Sequence, residues 1–174
     1  RLALDAGIDL GPADRERIQT AFFTATFSIM GQVAKADGRV SEDEIAAARA
    51  VMDHMDLSAE HRRAAINLFN EGKRPDFPLE DVLTQFAREC RGRRSLLRMF
   101  MEIQLGAAYA DGVVHERERQ LLLHICERLG ISRFEFAQLE ALVRGQFRGA
   151  GAGAGAGPRG APAADTLRGA YALL

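Results

Sequence analysis

The sequence has no tryptophan, two tyrosines, two cysteines and five prolines among its 174 residues. So few cysteines cannot staple a disulfide scaffold, and Cys90 and Cys126 show neither a CxxC pair nor a Cys/His spacing that would hold zinc. Each lies in a helical pattern among apolar neighbours, which predicts two buried free thiols in a reducing compartment. No run of about 18 apolar residues occurs, so no segment of the chain is expected to span a membrane. Neither sign of charge dominates: the formal net charge is −1, which gives no general attraction to nucleic acid.

What is abundant is Ala, Leu, Arg and Glu, with ten Phe, a composition that favours helix over strand. A domain of roughly 150 residues buries about 70% of its unfolded surface, so neither metal nor disulfide is needed to hold it.

The strongest pattern is an internal repeat. Residues 33–45 read VAKADGRVSEDEI and residues 107–119 read AAYADGVVHERER. Superposed, they align Ala36 with Ala110, Asp37 with Asp111, Gly38 with Gly112, Val40 with Val114, Glu42 with Glu116 and Glu44 with Glu118. The register continues: Val51, Met55, Leu57 and Ser58 fall on Ile125, Leu129, Ile131 and Ser132. One gapless offset held over about 26 residues marks a duplicated supersecondary unit.

Each unit reads as three helices joined by two turns. The first helix, about Asp14 to Ala36, and its counterpart, about Ser95 to Ala110, are apolar around most of their circumference, which predicts a buried central pair. Gly38 and Gly112 are expected to stop these helices at the C′ position. Ser41-Glu42-Asp43-Glu44 and Ser132-Arg133-Phe134-Glu135 are capping boxes. Between the units, Pro75-Asp76-Phe77-Pro78 breaks the chain, and Pro78 suits the first residue of a linking helix to about Cys90. The expectation is an all-α bundle of about seven helices in two pseudo-repeated three-helix units.

Composition changes after Gln146. Residues 149–164, with alternating Gly and Ala and then Pro158 and Pro162, read as a flexible linker. Residues 165–174 restart an amphipathic helical pattern. The expected domains are therefore an N-terminal segment 1–13, a helical domain 14–148, the linker 149–164 and the start of another domain at 165–174. The chain begins at Arg1 rather than Met, and a membrane segment or signal is expected upstream.

Two groups of residues could carry chemistry. Asp-Gly-x-Val-x-x-x-Glu matches the second half of an EF-hand loop, yet Val33 and Lys35, or Ala107 and Tyr109, would occupy the first two ligand positions and cannot bind Ca²⁺. A weaker divalent-cation site remains if both loops meet and pool Asp37, Glu42, Glu44, Asp111, Glu116 and Glu118, with His115 adding a nitrogen for a transition metal. The structural alternative is that these carboxylates only complement helix dipoles, at about 0.3–1 kcal/mol each. Second, Arg88, Arg91, Arg93, Arg94 and Arg98 surround Gly92. Arg91, Arg93 and Arg94 suit an anionic partner such as lipid headgroups, an acidic protein face or a phosphate. The plainer alternative is a solvated helix end. No nucleophile context accompanies His54, His61, His115 or His124, so no enzyme is expected.

The motif Ala36-Asp37-Gly38-x-Val40-x-x-x-Glu44, repeated at Ala110-Asp111-Gly112-x-Val114-x-x-x-Glu118, resembles the signature of the TerB-like (tellurite-resistance) helical fold. The segments Phe22-Phe23-x-Ala25-Thr26-Phe27, Glu71-Gly72-Lys73, Phe77-Pro78-Leu79, Arg98-Met99-Phe100-x-Glu102-Ile103-Gln104 and Leu129-Gly130-Ile131-Ser132 resemble the central domain of the DjlA family of DnaJ-like membrane co-chaperones. Asp165 to Leu174 is similar to the opening of a J domain. The resemblance implies an inner-membrane protein anchored by an upstream segment, able to form a homodimer through that anchor, with this domain on the cytoplasmic side. Its J domain would stimulate DnaK through a His-Pro-Asp tripeptide, which these residues do not contain. The alternative reading is a stand-alone TerB-like metal-binding or stress-response protein connected with tellurite resistance. A third is a spacer that acts only by its length.

Overall fold

Proline lacks an N–H and holds φ near the helical value, and Pro12 opens the first helix at the position where that N–H would have no partner anyway. The computed structural model describes the backbone of residues 11–36 and 38–152, and side chains as far as residue 145. These residues form seven helices: α1 (Pro12–Ala34), α2 (Glu42–His54), α3 (Ala59–Gly72), α4 (Leu79–Glu89), α5 (Arg94–Ala108), α6 (Glu116–Arg128) and α7 (Arg133–Ala152). There is no strand among the described residues. None of the described helices is long and apolar enough to cross a membrane.

The repeat is visible in the helix boundaries. α2 and α6 start at the equivalent Glu42 and Glu116 and stop at the equivalent His54 and Arg128. α1 and α5 end at the equivalent Ala34 and Ala108, and α3 and α7 start at Ala59 and Arg133. Left-handed backbone recurs in register too: Gly38 (φ 91°) matches Gly112 (φ 86°), and Asp56 (φ 55°) matches Gly130 (φ 73°). α4 is the connector between the copies.

α1 and α5 form the centre, as their all-round apolar surfaces predict. Phe22, Phe27, Ile29 and Met30 of α1 and Phe100, Met101, Ile103 and Leu105 of α5 are fully buried, each contributing about 1.5–3 kcal/mol. α1 packs on α3, α4 and α5, while α5 also carries α7. On α4, Leu83 and Phe86 share the inward face, and Phe86 lies between the two repeats. Its ring centroid is 6.4 Å from that of Phe22 and 4.7 Å from that of Phe100. Cys90 and Cys126 are buried and free, as expected.

Two details differ from the sequence reading. Gly38 and Gly112 do not terminate α1 and α5 directly. Lys35 and Tyr109 are the C-caps, and each glycine closes the next turn, donating its N–H to Lys35 O at 2.8 Å or to Tyr109 O at 2.9 Å. The positive φ is needed in that second turn, after the helical bonds have ended. Pro78 precedes α4 rather than opening it, because its ψ of 68° is not helical.

Where α1 crosses α3 the two backbones touch. A Cβ built on Gly31 would fall against the Phe69 carbonyl oxygen, and one on Gly72 against the Ser28 carbonyl oxygen. Only glycine permits that approach.

Candidate functional site

Ser41 caps α2 in the predicted reciprocal fashion. Its hydroxyl accepts from Glu44 N at 3.1 Å, and Glu44 Oε1 accepts from Ser41 N at 3.1 Å. The cap draws the Glu44 carboxyl back over the helix start, and Glu44 is left only 6% exposed. Its repeat equivalent, Glu118, is 2% exposed. The Glu118 carboxyl lies close enough to act on that of Glu44. Burial pushes the Glu44 carboxyl above the usual carboxylate range, against the hydrogen bonds from Ser41 and Glu118, and the negative charge of Asp111 pushes the same way. Beside Glu44, Gln104 Nε2 donates to Thr26 O at 3.0 Å, joining α5 to α1.

Of the remaining residues of the expected cation set, the described ones are exposed or bonded within their own segments. Asp37 lies outside the described residues. Asp111 is exposed, and its Oδ1 accepts from Val113 N at 3.1 Å, closing its own turn. Glu116 is exposed and accepts from Gln120 Nε2 at 3.2 Å, while Glu42 is exposed in the first turn of α2. His115 is the exposed N-cap of α6. Among the described residues no group of three or more His, Cys, Asp or Glu side chains could hold a metal ion. The structure thus brings together Glu44 and Glu118, with Asp111 near enough to be felt.

A second polar cluster escaped the sequence reading. Tyr109 Oη donates to Glu140 Oε2 at 2.8 Å, Arg119 Nε donates to the same oxygen at 3.2 Å, and Arg144 Nε donates to Tyr109 Oη at 3.2 Å. Burial raises the Glu140 carboxyl, but the hydrogen bonds from Arg119 and Tyr109 and the charges of Arg119 and Arg144 outweigh it and hold the carboxyl low. The cluster ties α5, α6 and α7 at one point. The sequence signal was there: Glu140 shares a helical face with the buried Phe136 and adjoins Leu139.

The basic turn has divided roles. Gly92 (φ 80°) turns the chain between α4 and α5. Arg94 reaches across to α7, donating to Glu135 Oε1 at 2.7 Å and to Gly130 O at 3.4 Å. That contact lowers the Glu135 carboxyl below its usual range. Arg91 and Arg98 are exposed and Arg93 half-buried, and none of the three forms an ion pair among the described residues. Elsewhere a groove of about 370 Å³ opens between α1 and α4 over Ala21, Ala25 and Phe86, edged by the Arg17–Glu89 pair.

Residues 23–141 match the family described as tellurite resistance protein TerB. The chain is similar to curated proteins named co-chaperone protein DjlA. It is 44% identical over 172 residues to that of Photobacterium profundum, covering 97% of this chain and 62% of that protein. Identity is 46% over 133 residues with that of Photorhabdus laumondii, covering 76% and 49%, and 47% over 137 residues with that of Escherichia coli, covering 78% and 50%. The chain spans about half the length of the curated relatives it matches. No solved structure matches it.

Proposed function

The chain belongs to the TerB family and is a DjlA-like TerB domain, and from that premise we propose that it is the regulatory and interaction domain of a membrane-anchored DnaJ-like co-chaperone. The observation that carries this reading is the extent of the similarity: 44–48% identity over most of this chain to proteins named co-chaperones, roughly half of whose length lies beyond it. In this reading the remainder of the parent protein contains a J domain that stimulates DnaK and an anchor in the inner membrane. The helical domain sits on the cytoplasmic side and acts by binding, not by catalysis.

A rigid bundle suits that role. The Glu44–Glu118 contact, the Tyr109–Glu140 cluster and the Phe86 wedge each join separate helices, so a partner meets one fixed surface rather than a loose string of helices.

The test is a domain exchange in the parent protein, in which an unrelated helical bundle of similar length replaces residues 20–147. The exchanged protein should still stimulate the DnaK ATPase in solution but lose co-chaperone function in cells. Full function in cells would mean that the domain is a spacer. Absence of DnaK stimulation by the unaltered parent would end the co-chaperone reading.

A further inference from the structure

Phe134 is 72% exposed, more than Val113 at 56%, Leu142 at 54% or Ile66 at 42%, the other large apolar side chains in the open among the described residues. It stands in the first turn of α7, just after the Ser132 cap, whose hydroxyl accepts from Glu135 N at 3.1 Å. The turn is braced from α5, because Arg94 holds both the Glu135 carboxylate and the Gly130 carbonyl. The ring is therefore presented outward on a fixed support. The fold does not require it: α3 starts in the same way at the equivalent Ser58, and the residue matching Phe134 there is Glu60.

The same corner is positively charged. Arg133 precedes the ring and is exposed, where the first repeat has Ala59. Arg94 joins this helix start to the Gly92 turn, with Arg91 and Arg93 just before it and Arg98 one turn further along α5. Among the described residues Arg91, Arg93, Arg98 and Arg133 form no ion pair, whereas Glu89 and Glu135 are already held by Arg17 and Arg94. The chain as a whole has a net charge of −1, so these cations are a local excess.

We propose that this corner docks on an anionic phospholipid surface, with the Phe134 ring entering the headgroup layer and Arg91, Arg93, Arg98 and Arg133 pairing with lipid phosphates. An exposed aromatic ring, with guanidiniums at the same corner that form no ion pair among the described residues, is the composition of an interfacial anchor: the ring takes apolar contact and each planar guanidinium meets a phosphate through two N–H donors. A headgroup layer offers both contacts at once, since its phosphates lie directly beside apolar material.

The absence of tryptophan supplies the reporter. Phe134→Trp in the 174-residue chain is titrated with vesicles rich in phosphatidylglycerol, and its emission is recorded. The expected result is a blue shift, quenching by brominated lipid, and loss of both in pure phosphatidylcholine or in high salt. In the unlabelled chain, Phe134→Ser and the triple change Arg91→Glu, Arg93→Glu and Arg98→Glu should each reduce flotation with anionic vesicles about tenfold, with unaltered circular dichroism. The proposal is overturned if the tryptophan emission does not move with anionic vesicles, or if flotation ignores both sets of changes. It is equally overturned if the arginines prove to bind an acidic protein while vesicles are ignored.

Discussion

Glu44 and Glu118 occupy equivalent positions in the two repeats, both are nearly closed to solvent, and the Glu118 side chain acts on the Glu44 carboxyl. Two carboxylates in contact cannot both ionise cheaply. Together with burial, this favours the neutral form of the Glu44 carboxyl.

The sign of its pH dependence follows. Burial raises the folded Glu44 carboxyl above its unfolded value, so the folded state binds more protons between the two values and stability falls as pH rises through that window. Glu44→Gln keeps an oxygen for the Ser41 N–H and adds donors for Glu118. It should melt higher than the parent chain at neutral pH and lose the decline seen above the ordinary carboxylate range. Thermal melts between about pH 4 and pH 8 test this. A lower melting temperature for Glu44→Gln at neutral pH would show that the charged form is the favoured one.

Glu140 behaves in the opposite sense. Its folded carboxyl is held low, since the bonds from Arg119 and Tyr109 outweigh burial. Its stabilisation is complete above the unfolded carboxylate value and disappears as pH falls through the folded one. Glu140→Gln should cost about 1–3 kcal/mol at neutral pH and much less in acid, and Tyr109→Phe about 1 kcal/mol. Urea titrations at two pH values would check both.

Gly72→Ala reverses a familiar trend. In an exposed helix interior, alanine is better than glycine by about 1 kcal/mol. Here the added methyl group meets the Ser28 carbonyl oxygen, so the helices must separate and the core must loosen. We expect a loss of about 3 kcal/mol or more. Equilibrium denaturation that shows Gly72→Ala neutral or stabilising would contradict the observed approach of α1 to α3.

Burial pushes the thiols of Cys90 and Cys126 up to about 12, although Arg93 lowers the former somewhat. A thiol in that range supplies almost no thiolate near neutral pH. Both should resist a disulfide reagent in the folded chain and react at once in denaturant. Rapid labelling of either in native buffer would mean that its helix opens readily.

Much of this fold could be read from spacing alone. The repeat register, the central helices and the capping boxes at Ser41 and Ser132 are local or periodic features, and local chemistry determines them. The candidate site was legible only in part. Six carboxylates were grouped by sequence equivalence, yet side-chain direction decides which can meet: Glu44 and Glu118 are buried, while Asp111 and Glu116 bond within their own segments. The necessity of Gly31 and Gly72 lies in the backbone crossing over them, which no local pattern shows. Phe134 read simply as part of a cap, since a sequence pattern does not show which apolar residue is left outside.

Phe86 belongs to neither repeat, yet its ring lies against Phe22 of one and Phe100 of the other. α4 is also tied to α6 through Glu80, which pairs with His124 and Arg128. The connector is thus a keystone and not a hinge. A mechanical load entering through α1 reaches α5 both by direct packing and across that ring, and the two halves resist it together instead of swinging apart at their junction.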